Sequence, residues 1–228
     1  MILYRYIIYE LSKIKLKRHI KLLHYRKSDI CYYQQNVIPL QHQKPQIIKV
    51  CMKINGDEVT LKQLIFLCLY YGFARHLPSR RFGGKALRAW CCKHIFKHCG
   101  QNVNIKRGAK FGTGVGLSLG DNSDLGENCS VPSNLTIGHD VMMAPYCTIL
   151  DRNHRYDNKD IPIRLQGNAE RKPTIIEDNV WIGYQVLILP GRTIRNGSII
   201  AGGCVLCKDF PSNSIIGGNP SKFIRSRV

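Results

Sequence analysis

The chain has 228 residues and a formal net charge of +19, because 34 Lys and Arg residues face only 15 Asp and Glu residues. This length allows a buried core in one or two domains. The charge attracts polyanions such as nucleic acid, an anionic membrane surface or a phosphorylated ligand. No recognition helix, RNA-binding aromatic motif or zinc finger occurs, so the sequence disfavours a nucleic-acid-binding protein. Ten irregularly spaced cysteines disfavour a disulfide framework and favour the reducing cytoplasm.

Residues 1–51 form a basic leader that contains ten Lys or Arg residues against two acids and no clean signal peptide. The composition becomes more ordinary from Met52 onward. We therefore hypothesise that Met52 is the native start, which the intact mass of the natively expressed protein would decide.

Residues 52–100 are predicted to form an α-helical cap, with helices over 61–71 and 84–99 that cover the open end of the domain that follows. The apolar run within 59–73 is too short to cross a bilayer. An alternative that stays open is that these helices lie on a membrane surface and bring basic side chains to anionic lipid. The side chains concerned are Arg75, Arg80, Arg81, Lys85 and Arg88.

Within residues 101–228, an aliphatic residue recurs at every sixth position in two blocks. The first block contains Leu119, Leu125, Val131, Ile137, Met143 and Ile149, and the second contains Ile176, Ile182, Ile188, Ile194, Ile200 and Leu206. A period of six fits neither a helix nor a lone strand. It predicts an all-β solenoid in which three short strands and their corners form one coil and the aliphatic side chains stack on the axis. Gly191, Asn196 and Gly197 fit the corners, because Gly and Asn tolerate positive φ angles.

The two blocks differ in phase. The step from Ile149 to Ile176 is four and a half hexads, so it is not a whole number of repeats. Residues 151–172 are therefore predicted to leave the solenoid as an excursion. Loops placed by a rigid scaffold often carry chemistry, so we expect the functional site there.

Two further patterns inside the repeats are better explained by structure than by metal binding. Cys204 and Cys207 form a Cys-x-x-Cys, but the repeat turns Cys204 inward and Cys207 outward, so both cannot bind one zinc ion. His139 lies at a predicted corner, where we expect it on the surface.

Four motifs carry a resemblance to a known family. They are Asn-Val-Trp-Ile-Gly at 179–183, Leu-Pro-Gly at 189–191, Lys-Asp at 208–209 and Gly-Gly-Asn-Pro-Ser-Lys at 217–222. Together with the hexads, they resemble the hexapeptide-repeat acyltransferases, close to maltose and galactoside O-acetyltransferases and to those of capsule and lipopolysaccharide gene clusters. The match covers about residues 100–228.

The resemblance implies a left-handed parallel β-helix and a homotrimer with acetyl-CoA bound between subunits. It also implies transfer of an acetyl group to a sugar hydroxyl in surface polysaccharide biosynthesis. The protein would work in the cytoplasm, or at the inner face of the membrane if its basic N-terminal region contacts lipid.

The same resemblance places the catalytic base at His154, at the start of the excursion. A sugar hydroxyl is a poor nucleophile near neutral pH, and histidine is suited to take its proton as the hydroxyl attacks the thioester. Direct attack, without an acyl-enzyme, is implied. Asp151 and Asn153 are expected to bind the substrate or to orient the imidazole, and the sequence does not distinguish between these roles.

The family positions imply a coenzyme site along the second repeat block. Trp181 is expected either as a rung of the core or as a wall of the pantetheine channel. The other residues implied are Tyr184, Gly202, Cys207, Lys208, Lys222 and Arg225. Cys207 and Lys208 replace the usual Thr-Lys, and a solvated basic tail is the alternative for Lys222 and Arg225.

Three other functions are compatible with this fold. The γ-class carbonic anhydrases need three converging histidines, but residues 101–228 contain only His139 and His154, so we expect no metal requirement. A non-enzymatic scaffold that binds polysaccharide is the second alternative. Transfer of a different acyl group is the third, and no residue selects the acceptor sugar.

Overall fold

The computed structural model describes residues 51–79 and 83–227. The predicted basic leader, apart from Cys51, lies outside these residues, as do Arg80 and Arg81, so the hypothesis of a start at Met52 stays a prediction. The chain divides into two compact units, residues 1–58 and 59–228. Strand β1 (Cys51–Ile54) lies in the first unit, and strand β2 (Asp57–Thr60) runs across the division.

Two helices follow in the second unit. Helix α1 (Leu61–Gly72) begins with a capping box, in which the Thr60 hydroxyl accepts from the backbone N–H of Gln63 at 3.3 Å and the Gln63 side chain accepts from the N–H of Thr60. Helix α2 is Gly84–Ile95. The sequence predicts both helices, but α2 ends at Ile95 because the chain then extends into strand β3 (His98–Cys99). Among the described residues, no helix is long and apolar enough to cross a membrane.

The helices cover the first coil through side chains that reach its backbone. The hydroxyl of Tyr70 donates to the carbonyl oxygen of Ala109 at 3.0 Å. Arg88 is fully buried and donates to the carbonyl oxygens of Ile105 and Leu77, each at 2.7 Å. The expectation that Arg88 could meet lipid is therefore wrong, because its guanidinium is committed to carbonyl groups that would otherwise be buried without partners.

The remaining strands form three parallel faces of a solenoid. The first face consists of β3, β5 (Ser118–Leu119), β7 (Thr136–Ile137), β10 (Ile175–Ile176) and β13 (Thr193–Ile194). The second consists of β8 (Met142–Met143), β11 (Trp181–Ile182), β14 (Ile199–Ile200), β16 (Ser214–Gly217) and the antiparallel β17 (Lys222–Ser226). The pair β4 (Asn104–Ile105) and β6 (Asp124–Leu125) continues this face, because the N–H of Asp124 donates to the carbonyl oxygen of Val141 at 2.9 Å. The third consists of β9 (Thr148–Ile149), β12 (Leu187–Ile188) and β15 (Val205–Leu206).

The aliphatic residues of the six-residue repeat form the core. All twelve predicted rungs are buried, with exposed fractions of 4% or less. They stack in register, so that Ile176 lies opposite Ile137 on one side and Ile194 on the other. Each coil thus covers the apolar layer of its neighbour, and the predicted solenoid is confirmed.

The register of the strands also gives the length of the excursion. Ile176 pairs with Ile194, three hexads later, and with Ile137, six and a half hexads earlier. Because one coil takes three hexads, the chain inserts three and a half hexads between Ile137 and Ile176. The inserted stretch falls within 151–172, where nearly all side chains are exposed.

One corner of the solenoid is built from a stack of left-handed residues. Asn102, Asn122, Asp140 and Asn179 have φ angles between 51° and 56°. The side-chain amide of Asn102 donates to Asn122, and that of Asn122 donates to Asp140, each at 3.0 Å. Short polar residues therefore have two roles at this corner. They tolerate the positive φ angle, and their side chains hydrogen-bond from one coil to the next.

Two of the three predicted corner residues adopt the expected backbone. Gly191 and Gly197 both have a φ angle of 71°. Asn196 does not have a positive φ angle, because the following Gly197 takes the left-handed position. The backbone N–H of Asn196 instead donates to the Glu177 carboxylate at 2.8 Å.

Candidate active site

The excursion is held at its base by pairing between its two ends. The N–H of Ala169 donates to the carbonyl oxygen of Asn153 at 2.9 Å, and His154 lies opposite Asn168 in the same antiparallel bridge. These contacts restrain the backbone on both sides of His154, although the His154 side chain itself is exposed.

Asp151 fixes the point where the excursion leaves the solenoid. Its carbonyl oxygen accepts from the N–H of Lys172 at 2.6 Å. Its carboxylate lies 3.2 Å from Nε of Arg171 and 3.9 Å from Nε of Arg152. The Asp151 side chain is only 17% exposed, so water screens the pair with Arg171 less than it screens a surface pair. This ion pair joins the two ends of the excursion.

The two residues expected near the imidazole of His154 do not hydrogen-bond to it. The Asp151 carboxylate is engaged by arginines, and Asn153 is exposed. Within residues 51–79 and 83–227, the imidazole of His154 has no hydrogen-bond partner. Both ring nitrogens are therefore available to a ligand in the cavity that His154 lines.

This cavity has a volume of about 720 Å³ and lies between the excursion and a corner of the solenoid. It is lined by both ends of the excursion and by the corner residues Leu189, Pro190, Arg192 and Cys207. The basic side chains outnumber the acidic ones: they are Arg152, Arg155, Lys172 and Arg192 against Asp157 and Glu170. Its size suits a small-molecule ligand.

Cys207 brings a thiol to the same cavity. Its backbone N–H donates to Oγ of Ser221 at 3.1 Å, and its Sγ lies 3.3 Å from that oxygen. The hydrogen bond from Ser221 lowers the pKa of the Cys207 thiol. Cys204, by contrast, is fully buried, and burial raises its pKa. The two cysteines therefore face opposite sides of the strand, as the repeat predicts.

Ser221 also ties the C-terminal tail to this corner. It is buried, and its N–H donates to the carbonyl oxygen of Val205 at 3.1 Å. The exposed Lys222 follows directly, and the exposed Lys208 flanks Cys207 with its ammonium 5.5 Å from the ring centroid of Phe210. Cationic side chains thus lie on both segments that meet at Ser221.

A second group of predicted coenzyme residues lies on another face. Trp181 is 49% exposed and points outward from β11, while Ile182 points inward, so the interpretation of Trp181 as a core rung is wrong. Tyr184 is exposed at the following corner. A Cβ added to Gly202 would lie 3.2 Å from the Tyr184 carbonyl oxygen, which favours glycine there.

Tyr146 belongs to this second group and was missed from the sequence. Its ring packs edge-on against Tyr184 with centroids 5.6 Å apart, and its φ angle is 61°, which is unusual for a bulky residue. The two tyrosines lie on either side of the excursion in the sequence. Their proximity follows from the repeat only when the length of the excursion is known.

Arg192 and Ser221 were also missed. Nη1 of Arg192 donates to the carbonyl oxygen of Cys207 at 3.1 Å and lies 3.4 Å from the Asp209 carboxylate. Arg192 precedes Cys207 by two and a half hexads, half a hexad less than one coil, so the sequence places both near the same corner of the solenoid. Ser221 lies in the irregular tail, where no period applies.

His139 is exposed at a corner, as predicted. Its Nδ1 accepts from the backbone N–H of Asp121 at 3.1 Å, so it takes part in the contacts between coils. In the part of the chain that the structure describes, no group of three or more His, Cys, Asp or Glu side chains could hold a metal ion.

The chain is similar to several known proteins, although no family model matches it. It is 30% identical over 173 residues to galactoside O-acetyltransferase of Escherichia coli K12, which covers 69% of this chain and 84% of that protein. It is 30% identical over 141 residues to WbbJ of the same organism, whose name refers to O-acetyl transfer in lipopolysaccharide biosynthesis, with 54% of this chain and 71% of that protein covered. A solved structure of galactoside acetyltransferase in complex with coenzyme A matches with a TM-score of 0.62 and 30% identity, covering 72% of this chain and 80% of that one.

Proposed function

Since this chain belongs to the hexapeptide-repeat acetyltransferases and has their left-handed β-helix, we propose that it transfers an acetyl group from acetyl-CoA to a hydroxyl group of a sugar. It is an acyltransferase, so the alternative of a non-enzymatic scaffold is set aside. The observation that carries the proposal is the position of His154, which the excursion holds at a cavity shared with Cys207.

In this proposal His154 is the general base. A free ring nitrogen takes the proton of the acceptor hydroxyl while the oxygen attacks the thioester carbonyl. The tetrahedral intermediate carries a negative oxygen, which a backbone N–H at a coil corner would stabilise. The carbon–sulfur bond then breaks, and the thiolate takes a proton and leaves as coenzyme A. No acyl-enzyme is formed.

Asp151 and Asn153 have different proposed roles at the acceptor side. The exposed side-chain amide of Asn153 lies on the cavity beside His154, where it can hydrogen-bond a sugar hydroxyl. Asp151 is paired with Arg171, so we assign it mainly to holding the excursion in place.

The coenzyme would contact both groups of predicted residues. Trp181, Tyr184 and Gly202 present an aromatic and flat surface suited to the pantetheine arm. Cys207 and Lys208 lie at the other corner, and Lys222 and Arg225 supply exposed cationic side chains for the phosphates. Cys207 lacks the hydroxyl of threonine, but Ser221 places one beside it.

We further propose a homotrimer with the coenzyme along the seam between subunits. Support comes from apolar side chains that face outward on the chain, including Met142, Trp181 and Ile175 on the solenoid and Ile163 and Leu165 on the excursion. Exposed apolar surface of this kind commonly marks an interface. A neighbouring copy would also bring the two groups of coenzyme residues together around one ligand.

For the acceptor we propose a sugar of a surface polysaccharide or its precursor, acetylated in the cytoplasm. Support comes from the similarity to WbbJ, whose name refers to lipopolysaccharide biosynthesis. The basic side chains that line the cavity do not distinguish one neutral sugar from another, so the acceptor must be found by screening.

The deciding experiment is an acceptor screen with acetyl-CoA that measures free thiol and locates the new ester by mass spectrometry. We expect thiol release that depends on a sugar acceptor and is about a hundredfold or more slower in His154→Ala. His139→Ala is the matched control and should keep the wild-type rate, because His139 lies at a corner away from the cavity. Both variants should sediment as trimers of the 26.0 kDa chain.

Three results would contradict parts of this proposal. Near-normal transfer by His154→Ala would show that His154 is not the general base. A monomeric mass in solution would show that the protein is not a trimer. A panel of acyl-CoA donors tests which acyl group is transferred. Faster transfer from a donor with a longer acyl chain would show that acetyl is not the preferred group.

A further inference from the structure

Helix α1 carries apolar side chains on both its inner and its outer side. The side toward the solenoid carries the buried Leu67 and Tyr70. The opposite side carries Leu61, Ile65 and Cys68, whose spacing places them on one face. Leu61 is 41% exposed and Ile65 is 37% exposed. A helix with apolar side chains on two opposite sides is normally covered on both of them. The outer face of α1 is therefore unpaired within the described residues of this unit.

Two aromatic side chains enlarge this apolar surface. Trp90 of α2 is 48% exposed and packs edge-on to Phe66 of α1, with centroids 5.0 Å apart. Phe73 follows the end of α1 and is 56% exposed. We call Leu61, Ile65, Phe73 and Trp90 the outer face of the helical cap. Tryptophan and phenylalanine beside leucine are typical of helices that lie in the membrane interface.

The chain from residue 59 through the first coil carries positive charge only, although the exposed Glu58 directly precedes it. Residues 59–120 contain 11 Lys and Arg residues and no Asp or Glu residue. Lys62 is exposed on α1, and Lys85 and Lys93 are exposed on α2. These two lysines lie on a groove of about 370 Å³ beside α2. Lys85 occupies the first turn of α2, where the helix dipole disfavours a cation, so helix stability does not account for it.

This charge pattern selects among the possible partners of the outer face. A second copy packed face to face would bring lysines against lysines with no acid from residues 59–120 to compensate, which is unfavourable. Residues 1–50 contain ten Lys or Arg residues and two acids, so their charge does not complement the face either. An anionic lipid surface satisfies both features at once, because it accepts apolar side chains and attracts lysines.

We propose that the outer face of the helical cap docks on an anionic lipid bilayer. Leu61, Ile65 and Trp90 enter the interfacial layer, while Lys85 and Lys93 contact lipid phosphates. The sequence presents covering the solenoid and lying on a membrane as alternative roles for these helices. In this proposal the inner face of the helix pair has the first role and the outer face has the second. The proposal does not depend on acetyl transfer and would bring the enzyme to acceptors held at a membrane.

The test measures binding of the full chain to sedimented vesicles. The vesicles contain phosphatidylcholine alone or a mixture with phosphatidylglycerol. We expect binding to the anionic vesicles that is weakened about tenfold or more in Leu61→Gln/Ile65→Gln. Lys85→Gln/Lys93→Gln should weaken binding to the anionic vesicles by a similar factor, and the binding that remains should depend less on salt concentration. Ile161→Gln is the control, since it makes the same change on a 43% exposed residue of the excursion, and it should bind as the wild type does.

Circular dichroism checks that each variant is folded, and thiol release with a soluble acceptor should be unchanged in the cap variants. Wild-type affinity in Leu61→Gln/Ile65→Gln would overturn the proposal, because binding would then reside elsewhere in the chain. Failure of the wild type to bind anionic vesicles would overturn it as well. A change of oligomeric state in this variant without a change in vesicle binding would assign the face to a second copy.

Discussion

The solenoid and the excursion use the chain in opposite ways. In the solenoid, each rung and almost every residue two positions before a rung are buried, and each coil is covered by the next. In the excursion, most side chains are exposed, and the contacts are a short backbone pairing, the ion pair between Asp151 and Arg171 and hydrogen bonds of the Gln166 side chain to neighbouring backbone. Stability should therefore reside in one region and chemistry in the other. Single substitutions can separate the two.

The largest expected effect is on activity alone. His154→Ala removes the proposed base, so kcat/KM should fall by about 10²- to 10⁴-fold. The exposed side chain contributes little packing, and the free energy of unfolding should stay within about 0.5 kcal/mol of the wild type. Steady-state kinetics and denaturant unfolding measure the two quantities. A matching loss of stability would show that His154 is structural and would break the comparison.

The complementary change lies in the core of the solenoid. Ile137→Ala removes a rung between Leu119 and Ile176, and should cost about 2–5 kcal/mol of unfolding free energy. Thr136→Ala, the outward neighbour on the same strand, should change it by about 0.5 kcal/mol or less. Transfer per folded molecule should persist in both variants. A cost for Ile137→Ala as small as that for Thr136→Ala would contradict the stacked core.

Asp151→Asn tests the join between the two regions. It weakens the ion pair with Arg171, which is worth up to about 1 kcal/mol, so opening of the excursion should become about fivefold more frequent. Hydrogen exchange at the N–H of Ala169, which is bonded to Asn153, reports this opening. Global unfolding should hardly change. Unaltered exchange would mean that the ion pair does not help to hold the excursion in place.

The smallest effect concerns the thiol at the cavity. The hydrogen bond from Ser221 lowers the pKa of Cys207, so a larger fraction is thiolate at a given pH, and alkylation should begin at lower pH than for an ordinary thiol. Ser221→Ala removes this bond, raises the pKa and should slow alkylation about threefold near neutral pH. Peptide mass spectrometry follows the modification.

Two controls accompany that measurement. Buried Cys204 and Cys129 should resist alkylation, and burial raises the pKa of Cys129 to about 12. Acetyl-CoA should protect Cys207 if the coenzyme occupies this corner. Unprotected alkylation at saturating acetyl-CoA would exclude Cys207 from the coenzyme site.

Some features that the structure settled were within reach of the sequence. Trp181 directly precedes the rung Ile182, and adjacent residues of a strand face opposite sides, so its outward direction followed from the period. The same rule correctly separated Cys204 from Cys207. The burial of Arg88 could not be predicted in this way. Its partners include backbone carbonyl groups of the first coil and of the segment after α1, and the residue pattern does not show which carbonyl groups need a donor.

The sequence by itself determined the repeat, the buried rungs, most corner residues and the place where the chain leaves the solenoid. These features depend on which way neighbouring side chains point, and that is a local property of a strand with a short period. Only the tertiary structure decided how much chain is inserted between Ile137 and Ile176, that Asp151 pairs with Arg171 rather than with His154, and that Ser221 meets Cys207. Those contacts join segments whose separation does not follow the period, so they depend on the path of the folded chain through space.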